Sequence, residues 1–399
     1  MRRVELALTA VGVVVLFLYM HFDLWGDGLV RYRALDALLG HGALAAQKYS
    51  LIGPLFSAPL WYLGKVCQTS EWWCARYNFF LFTGALLVWW RLPEAWVPGR
   101  LRTRFLLILV VASMFASPHL ESYYGEPFTV LLASFALLAL AHDYPRTGLV
   151  LLFLSAANAP ATLPAVVLAA VAHGWHSRRW SALGVVPVAA GVVVAEGLLH
   201  GGWHGYVVEA ANGTPFPVGL LSLTLSFGKG ILFFAPGLWL CRRALIATLP
   251  DALAHTLHLW LWYVLGLLLF YASWWDWSGD FFWGPRFMLM AALPASLLMA
   301  AALETPGQVR SLLVLSCIVA WSVWVAAEGT VFGPLDTAAY QNETNIFCYV
   351  PDYSVLLRPL CATVVVNGAD KLMLGWSVGV LALLLAPVIK AGSGRRHTP

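Results

Sequence analysis

The chain has 399 residues, of which 60% are hydrophobic and 11% charged, with a formal net charge of +4. A mean hydropathy of +0.74 and 20 tryptophans exclude an ordinary soluble globular protein. Apolar runs of about 17–25 residues recur along the chain, each long enough to cross a hydrocarbon core of roughly 30 Å. The sequence therefore predicts an all-α polytopic transmembrane bundle of about 10–12 spans. Residues 1–399 are expected to form one domain in a lipid bilayer, without a separate soluble domain and without a nucleic-acid partner.

The first apolar run, 4–22, exceeds the hydrophobic region of a signal peptide and has no Ala-x-Ala site before Asp23. We therefore expect an uncleaved first span. Residues 28–47 follow with apolar side chains at helical spacing, which predicts an amphipathic helix in the first outer loop. The next apolar stretch, 51–64, is interrupted by Pro54 and Pro59. It predicts either a tilted span or a re-entrant segment.

Four cysteines fall into two pairs in loops that we predict to be outside. Cys67 and Cys74 flank a short polar segment, and Cys348 and Cys361 lie before the last span. An oxidising compartment would permit a disulfide within each pair. The sequence leaves open whether either one forms.

Residues 148–172 are apolar but carry Asn158, Pro160 and Pro164 near their centre. Basic residues bound this stretch on both sides, so a broken hairpin fits better than a single crossing. Irregular backbone at membrane depth requires a protein- or water-lined cavity. Five later spans are expected at 181–200, 252–273, 287–303, 311–327 and 372–389.

Basic residues are concentrated in the segments that we predict to be cytoplasmic. Fifteen of the 24 Lys and Arg residues, but only five of the 20 acids, lie in 1–5, 91–104, 142–147, 173–180, 241–251, 304–310 and 390–399. An excess of Lys and Arg is typical of cytoplasmic loops. Both termini are therefore predicted to be cytoplasmic, in a multi-pass protein of a cell membrane, with the bacterial cytoplasmic membrane as the expected location.

Most of the remaining unusual polar residues lie at the predicted outer ends of spans, among tryptophans and tyrosines. They are Asp23, Asp27, Glu121, Glu126, Lys229, Asp276, Asp280 and Arg286. Arg and Lys bind phosphate, and a carboxylate can accept a proton from a hydroxyl. The pattern favours an extracytoplasmic site for a sugar carried on an anionic lipid, since no nucleotide sugar is expected there.

Several short motifs occur in order over residues 1–300, on the predicted outer side. They are Trp25-Gly26-Asp27-Gly28 with Lys48-Tyr-Ser-Leu-Ile-Gly-Pro54, Tyr123-Tyr124-Gly125-Glu126-Pro127, Ser226-Phe-Gly228-Lys229-Gly230 with Ala235-Pro236, and Gly284-Pro285-Arg286-Phe287 with Leu293-Pro294. Together they resemble motifs of GT-C fold glycosyltransferases. The similar branch uses polyprenyl-phosphate sugars and includes protein mannosyltransferases and lipid A aminoarabinose transferases.

The resemblance implies an inverting transfer with the first-loop aspartate as base. Asp27 would deprotonate an acceptor hydroxyl, which attacks the anomeric carbon of the donor. Arg286 is the first choice for binding the donor phosphate, followed by Lys48 and Lys229. In the aminoarabinose transferases Pro-Pro follows the phosphate-binding lysine, whereas Tyr49-Ser50 follows Lys48 here.

Five further residues are candidates for binding the acceptor or the sugar: Glu126, Glu121, Tyr124, Asp280 and Asp23. Glu126 is alternatively a ligand for a divalent metal ion, and His119, near two glutamates in the sequence, is a second and weaker indication of a metal ligand. No other cofactor is indicated. The expected partners are a polyprenyl-phosphate-linked sugar and an acceptor that is a glycan, a lipid or a protein.

Each of these assignments has a structural alternative. Asp27 could cap the following helix, and Asp23 could be a cap or an interfacial charge. Arg286 could anchor its span at the interface and pair with Asp280, and Lys229 could be an anchor of the same kind. At the level of function, a transporter or flippase would use the same charges to bind and release a head group. Transporters more often place charge at the bilayer midplane, so charges at outer ends favour the enzyme.

Overall fold

The computed structural model describes residues 2–116, 118–201, 213–279, 282–333, 346–361 and 365–394, and over these ranges the protein is all-helical. The only β-type pairing there is an isolated bridge between Asp23 and Ser122. Helices predominate because a helix satisfies its own backbone hydrogen bonds where the surroundings are apolar. The first seven are α1 (Arg2–Tyr19), α2 (Gly26–His41), α3 (Ile52–Phe56), α4 (Ala58–Val66), α5 (Ser70–Ala75), α6 (Tyr77–Arg91) and α7 (Gly99–Val111).

Within the described residues, the middle of the chain contains seven α-helices, five of them with 10–16 residues and two with four. They are α8 (Glu126–Ala141), α9 (Pro145–Asn158), α10 (Leu163–Ser177), α11 (Val185–His200), α12 (Phe216–Leu225), α13 (Ile231–Phe234) and α14 (Arg243–Ile246). The last six are α15 (Asp251–Tyr271), α16 (Ala292–Glu304), α17 (Leu312–Val331), α18 (Ile346–Tyr349), α19 (Arg358–Cys361) and α20 (Gly368–Gly394). A 3₁₀ turn, Arg286–Ala291, leads directly into α16.

Within the described ranges, five helical segments are long and apolar enough to cross a membrane. They are Ser181–Leu199, Asp251–Tyr271, Arg286–Glu304, Leu312–Val331 and Gly368–Ser393. Arg286–Glu304 is 89% buried inside the protein, whereas Ser181–Leu199 is only 17% buried. An apolar helix that turns most of its surface outward needs an apolar solvent, so these helices indicate a lipid bilayer environment.

The buried centre is formed by α7, α8 and the segment leading into α16. Nearly every residue of α7 is buried, and α16 packs directly against it. Helix α1 packs on another side of α7. These central helices carry the candidate site residues Glu126 and Arg286 at or next to their first turns.

Several sequence-based boundaries change in the structure. The surface helix predicted at 28–47 is α2, which ends at His41. Gly42 follows in the left-handed region (φ 64°), and its N–H bonds the carbonyls of Ala37 and Leu38. This glycine cap explains the early end, because an L side chain disfavours that conformation. The stretch 51–64 is not one continuous helix: it divides at Ser57 into α3 and α4, with Pro59 in the first turn of α4.

The break predicted within 148–172 is confirmed. Helix α9 ends at Asn158, a 3₁₀ turn covers Pro160–Thr162, and α10 begins at Leu163. Asn158 is buried and explains why the break is stable. Its Oδ1 accepts a 2.9 Å hydrogen bond from the Gly53 N–H, and its Nδ2 donates to Thr129 Oγ1 at 2.9 Å. The disulfides considered for the two cysteine pairs are not present: all six cysteines are free thiols.

Two charged clusters lie at opposite ends of the central helices. At one end, Arg104 near the start of α7 bonds Glu5 of α1 at 2.9 Å and Glu304 at the end of α16 at 2.6 Å. At the other end, Asp27 and Arg286 meet after α1 and before α16. Helix α1, at about 1.5 Å per residue, spans roughly 27 Å between these ends. The two clusters therefore lie at opposite ends of a helix about as long as a hydrocarbon core of roughly 30 Å is thick.

Candidate functional site

The site begins with the Trp25–Gly28 turn, which two glycines allow to pack tightly against the second polar loop. Gly26 has a positive φ of 52°, and a Cβ there would lie 2.8 Å from the Tyr124 hydroxyl. A Cβ on Gly28 would lie 3.2 Å from the Tyr123 backbone nitrogen. The turn needs glycine at Gly26 for conformation as well as for space. It presents Asp27 toward the start of the α16 segment.

Asp27 forms a salt bridge with Arg286 instead of capping α2. The N-cap of α2 is Trp25, which makes no side-chain cap hydrogen bond. Arg286 Nη1 donates to Asp27 Oδ2 at 3.2 Å, although the two residues are 259 positions apart. The Asp27 side chain is 31% exposed and that of Arg286 is 11% exposed. The carboxylate is therefore held by a buried cation while remaining open to the surroundings.

Glu126 places a second carboxylate near Arg286. Its Oε1 lies 3.9 Å from Arg286 Nε, and its buried Oε2 has no hydrogen-bond partner among the described residues. Glu126 is the first residue of α8, where the helix dipole favours negative charge. One guanidinium thus lies between two carboxylates that come from the two predicted acidic motifs.

Aromatic rings surround this ion cluster. Trp25 stacks on Phe282 with ring centroids 6.2 Å apart and meets Tyr124 edge-on at 5.6 Å. The Arg286 guanidinium carbon lies 5.3 Å from the Tyr124 ring centroid and 4.8 Å from that of Phe287. Flat apolar walls beside paired carboxylates suit a ligand with both apolar faces and hydroxyl groups, such as a sugar.

Two residues that the sequence analysis did not select, Tyr49 and Arg31, also reach the cluster. The Tyr49 hydroxyl lies beside the Asp27 carboxylate, and burial, followed by the nearby charge of Asp27, raises the pKa of Tyr49 above its usual range. Its hydroxyl therefore remains a donor. The Arg31 guanidinium carbon lies 4.6 Å from the Tyr49 ring centroid, and Lys48 Nζ lies 5.3 Å from it. The sequence does indicate that Arg31 lies near Asp27, because it follows Asp27 by one helical turn.

The other predicted phosphate-binding residue, Lys229, is placed differently. It is 1% exposed, donates a hydrogen bond to the carbonyl of Phe282, and lies 5.5 Å from the Phe347 ring centroid. It ties the 226–230 segment to the backbone beside Arg286. Lys229 therefore supports the wall of the site from within the protein.

The remaining predicted residues lie beside the cluster or outside the described ranges. Asp23 Oδ1 accepts a 2.7 Å hydrogen bond from the Leu24 N–H, and its own N–H bonds the Glu121 carbonyl. These contacts join the first two polar loops but do not reach Arg286. Asp280 lies outside the described residues. Within the described part of the chain, no group of three or more His, Cys, Asp or Glu residues is placed to hold a metal ion.

His119 is a further buried residue that the sequence analysis did not place in the site. It is 1% exposed, and its ring centroid lies 4.9 Å from that of Phe282. Burial, assisted by the positive charges of Lys229 and Arg286, lowers the pKa of His119 to about 3. The ring is therefore neutral at ordinary pH and adds no positive charge to this part of the protein.

Glu121 gives a testable pH dependence, since burial raises its pKa from 4.5 to about 7. Between these values the unfolded chain loses a proton that the folded protein keeps, so this residue's contribution to stability falls as pH rises. The loss reaches about 3 kcal/mol above pH 7 and is absent below pH 4.5. We expect Glu121→Gln to be more stable than wild type at neutral pH, with the difference disappearing toward pH 4.5.

Thermal unfolding of both proteins in detergent between pH 4 and pH 9 measures this difference. The buried His119 contributes equally to the pH dependence of both proteins, so its effect cancels in the difference between them. Glu71→Gln is the matched control, since Glu71 is exposed. A Glu121→Gln difference that is constant across the range would contradict the assignment.

In comparisons with known proteins, no family model, curated protein or solved structure matches the chain.

Proposed function

We propose that the protein is a membrane glycosyltransferase of the GT-C type. It would transfer a sugar from a polyprenyl-phosphate donor to an acceptor hydroxyl, with inversion at the anomeric carbon. The observation that carries this proposal is the Asp27 carboxylate. Arg286 and Tyr49 hold it, it leaves its own helix uncapped, and it remains partly exposed beside aromatic rings.

In this reaction Asp27 acts as the base. The acceptor oxygen attacks the anomeric carbon while its proton passes to the Asp27 carboxylate. The bond between the anomeric carbon and the phosphate oxygen breaks, and the lipid phosphate leaves with the electron pair. A phosphate monoester is already an acceptable leaving group, so it needs compensating positive charge more than it needs a proton. Glu126 and Tyr124 border the same space and would orient the sugar or the acceptor.

The proposal includes a polytopic arrangement of about 10–12 spans with an extracytoplasmic site and cytoplasmic termini. The separation of the two charged clusters supports it. The cluster of Glu5, Arg104 and Glu304 joins segments that are rich in Arg, whereas Asp27, Glu126 and Arg286 meet at the other end of the same helices. Helix α2 would then lie at the outer surface of the membrane.

The function is tested with purified protein in detergent and a panel of short-chain polyprenyl-phosphate sugars, mixed with lipid, glycan and peptide acceptors. We expect release of polyprenyl phosphate with at least one donor, together with a glycosylated acceptor of inverted anomeric configuration. Nucleotide sugars serve as the negative control. Binding of a lipid donor without its consumption would support a transporter or flippase instead, and neither binding nor consumption would refute both.

A further inference from the structure

Arg31 is a buried cation whose hydrogen-bonding capacity is largely unused. It is 8% exposed, and its Nε and Nη1 have no hydrogen-bond partner among the residues that the structure describes. It forms no salt bridge within the described residues. A buried guanidinium without a partner is costly, so such groups are retained where an anion meets them. Because Arg31 lies next to Asp27, that anion would be a ligand of the same site.

The packing around Arg31 covers its face and leaves its edge unbonded. A Cβ on Gly125 would lie 2.8 Å from both Cζ and Nη2 of Arg31 and 3.0 Å from Nη1. These nearly equal distances put the Gly125 backbone over the face of the guanidinium. Tyr49 also packs against Arg31, with Lys48 near the same ring. The N–H donors of a guanidinium point along its plane, where they match the oxygens of a phosphate.

Arg286 is less suitable for the same anion. Its Nη1 bonds Asp27 and its Nε faces Glu126. A phosphate that approached Arg286 would therefore meet two carboxylates, and like charges oppose each other in a partly buried site. The two arginines differ in their partners, and this difference separates their roles.

We infer that Arg31, with Lys48 on the same tyrosine ring, binds the phosphate of an anionic isoprenoid lipid, and that Arg286 positions Asp27 and Glu126. The choice of a lipid phosphate rests on the proposed function; the choice of Arg31 over Arg286 rests on their contacts. Tyr49 connects the two parts of the site, because its ring contacts Arg31 and its hydroxyl lies beside Asp27. The order of phosphate-binding residues expected from the motifs thus changes.

The test is equilibrium binding of a short isoprenyl phosphate to the full chain in detergent. We expect Arg31→Gln to weaken binding at least about tenfold, the loss expected for a hydrogen bond to a charged group. Arg31→Lys keeps the charge but lacks the planar guanidinium, so its affinity should lie between those of the wild type and Arg31→Gln. Arg33→Gln is the matched control, since Arg33 is exposed on the same helix, and it should change binding less than about twofold.

The neutral isoprenyl alcohol should bind wild type and Arg31→Gln equally. Should Arg31→Gln fail to fold, Gly125→Ala tests the same contact, because its Cβ would displace the guanidinium without removing the charge. Unchanged binding in these variants, together with loss in Arg286→Gln, would overturn the inference. Competition by inorganic phosphate at the same concentration would overturn the lipid assignment.

The outcomes also separate this inference from the proposed function. If no donor is consumed but isoprenyl phosphate binding depends on Arg31, the anion site stands and the transferase proposal fails. If donors are consumed and Arg31→Gln keeps the wild-type KM, the transferase stands and the phosphate lies elsewhere. Absence of isoprenyl phosphate binding to the wild-type protein overturns the inference outright.

Discussion

Turnover by the Asp27→Asn variant is expected to fall about 10²–10⁴-fold, the range typical of losing a general base. Asparagine has nearly the same shape, and its carbonyl oxygen can still accept the hydrogen bond from Arg286. It cannot take the proton of the acceptor hydroxyl. Isoprenyl phosphate binding should therefore persist while kcat falls, and a single-turnover assay with a consumed donor measures this step separately from product release.

Asp23→Asn is the matched control for Asp27→Asn. Asp23 lies in the same loop, but its carboxylate bonds the Leu24 N–H and does not reach Arg286. This variant should retain turnover within a few-fold of wild type. Loss of activity in Asp23→Asn with near-normal activity in Asp27→Asn would move the base to Asp23. Equal losses in both variants would indicate that the first loop, and not one carboxylate, had been disrupted.

The association of Asp27, Glu126 and Arg286 could be anticipated from the sequence for a physical reason. In a chain with 11% charged residues, opposite charges outside the basic loops have few alternatives to each other, and a low dielectric strengthens their attraction. Motif order and sidedness placed all three residues in one predicted site, although the only ion pair considered for Arg286 was with Asp280. The early end of α2 was also readable, since His41-Gly42 is a usual helix C-terminus.

The spacing of Arg31 from Asp27 was readable from the sequence, but the burial of Arg31 was not. Arg31 and Arg33 both look like solvated charges on one surface helix, but Gly125 and Tyr49 pack against Arg31, which is buried, while Arg33 stays exposed. The approach of Gly125 depends on contacts between loops about 95 residues apart, which helical periodicity does not encode. Tyr49 was overlooked for a similar reason. Its neighbour Lys48 carries the charge, but the hydroxyl of Tyr49 makes the contact with Asp27.

The second large effect is expected at the opposite end of the bundle, where Arg104→Gln should destabilise the protein by about 3–5 kcal/mol. Arg104 is 6% exposed and pairs with Glu5, which is 3% exposed, and with Glu304. Glu5 also accepts a 3.0 Å hydrogen bond from Thr103 Oγ1. In the absence of Arg104, this one hydrogen bond is too weak to compensate the buried charge of Glu5. A lower unfolding temperature in detergent, with less folded protein in the membrane, measures the effect.

Arg2→Gln provides the comparison, because Arg2 pairs with Glu94 at 2.8 Å but the two side chains are 44% and 65% exposed. That variant should change stability by no more than about 1 kcal/mol. The double variant Glu5→Gln/Arg104→Gln should recover part of the loss, since it removes the uncompensated carboxylate. Equal losses in Arg2→Gln and Arg104→Gln would show that Glu5 finds water or another cation when Arg104 is absent. Turnover per folded molecule should persist in Arg104→Gln, because this cluster anchors α1, α7 and α16 at the end away from Asp27.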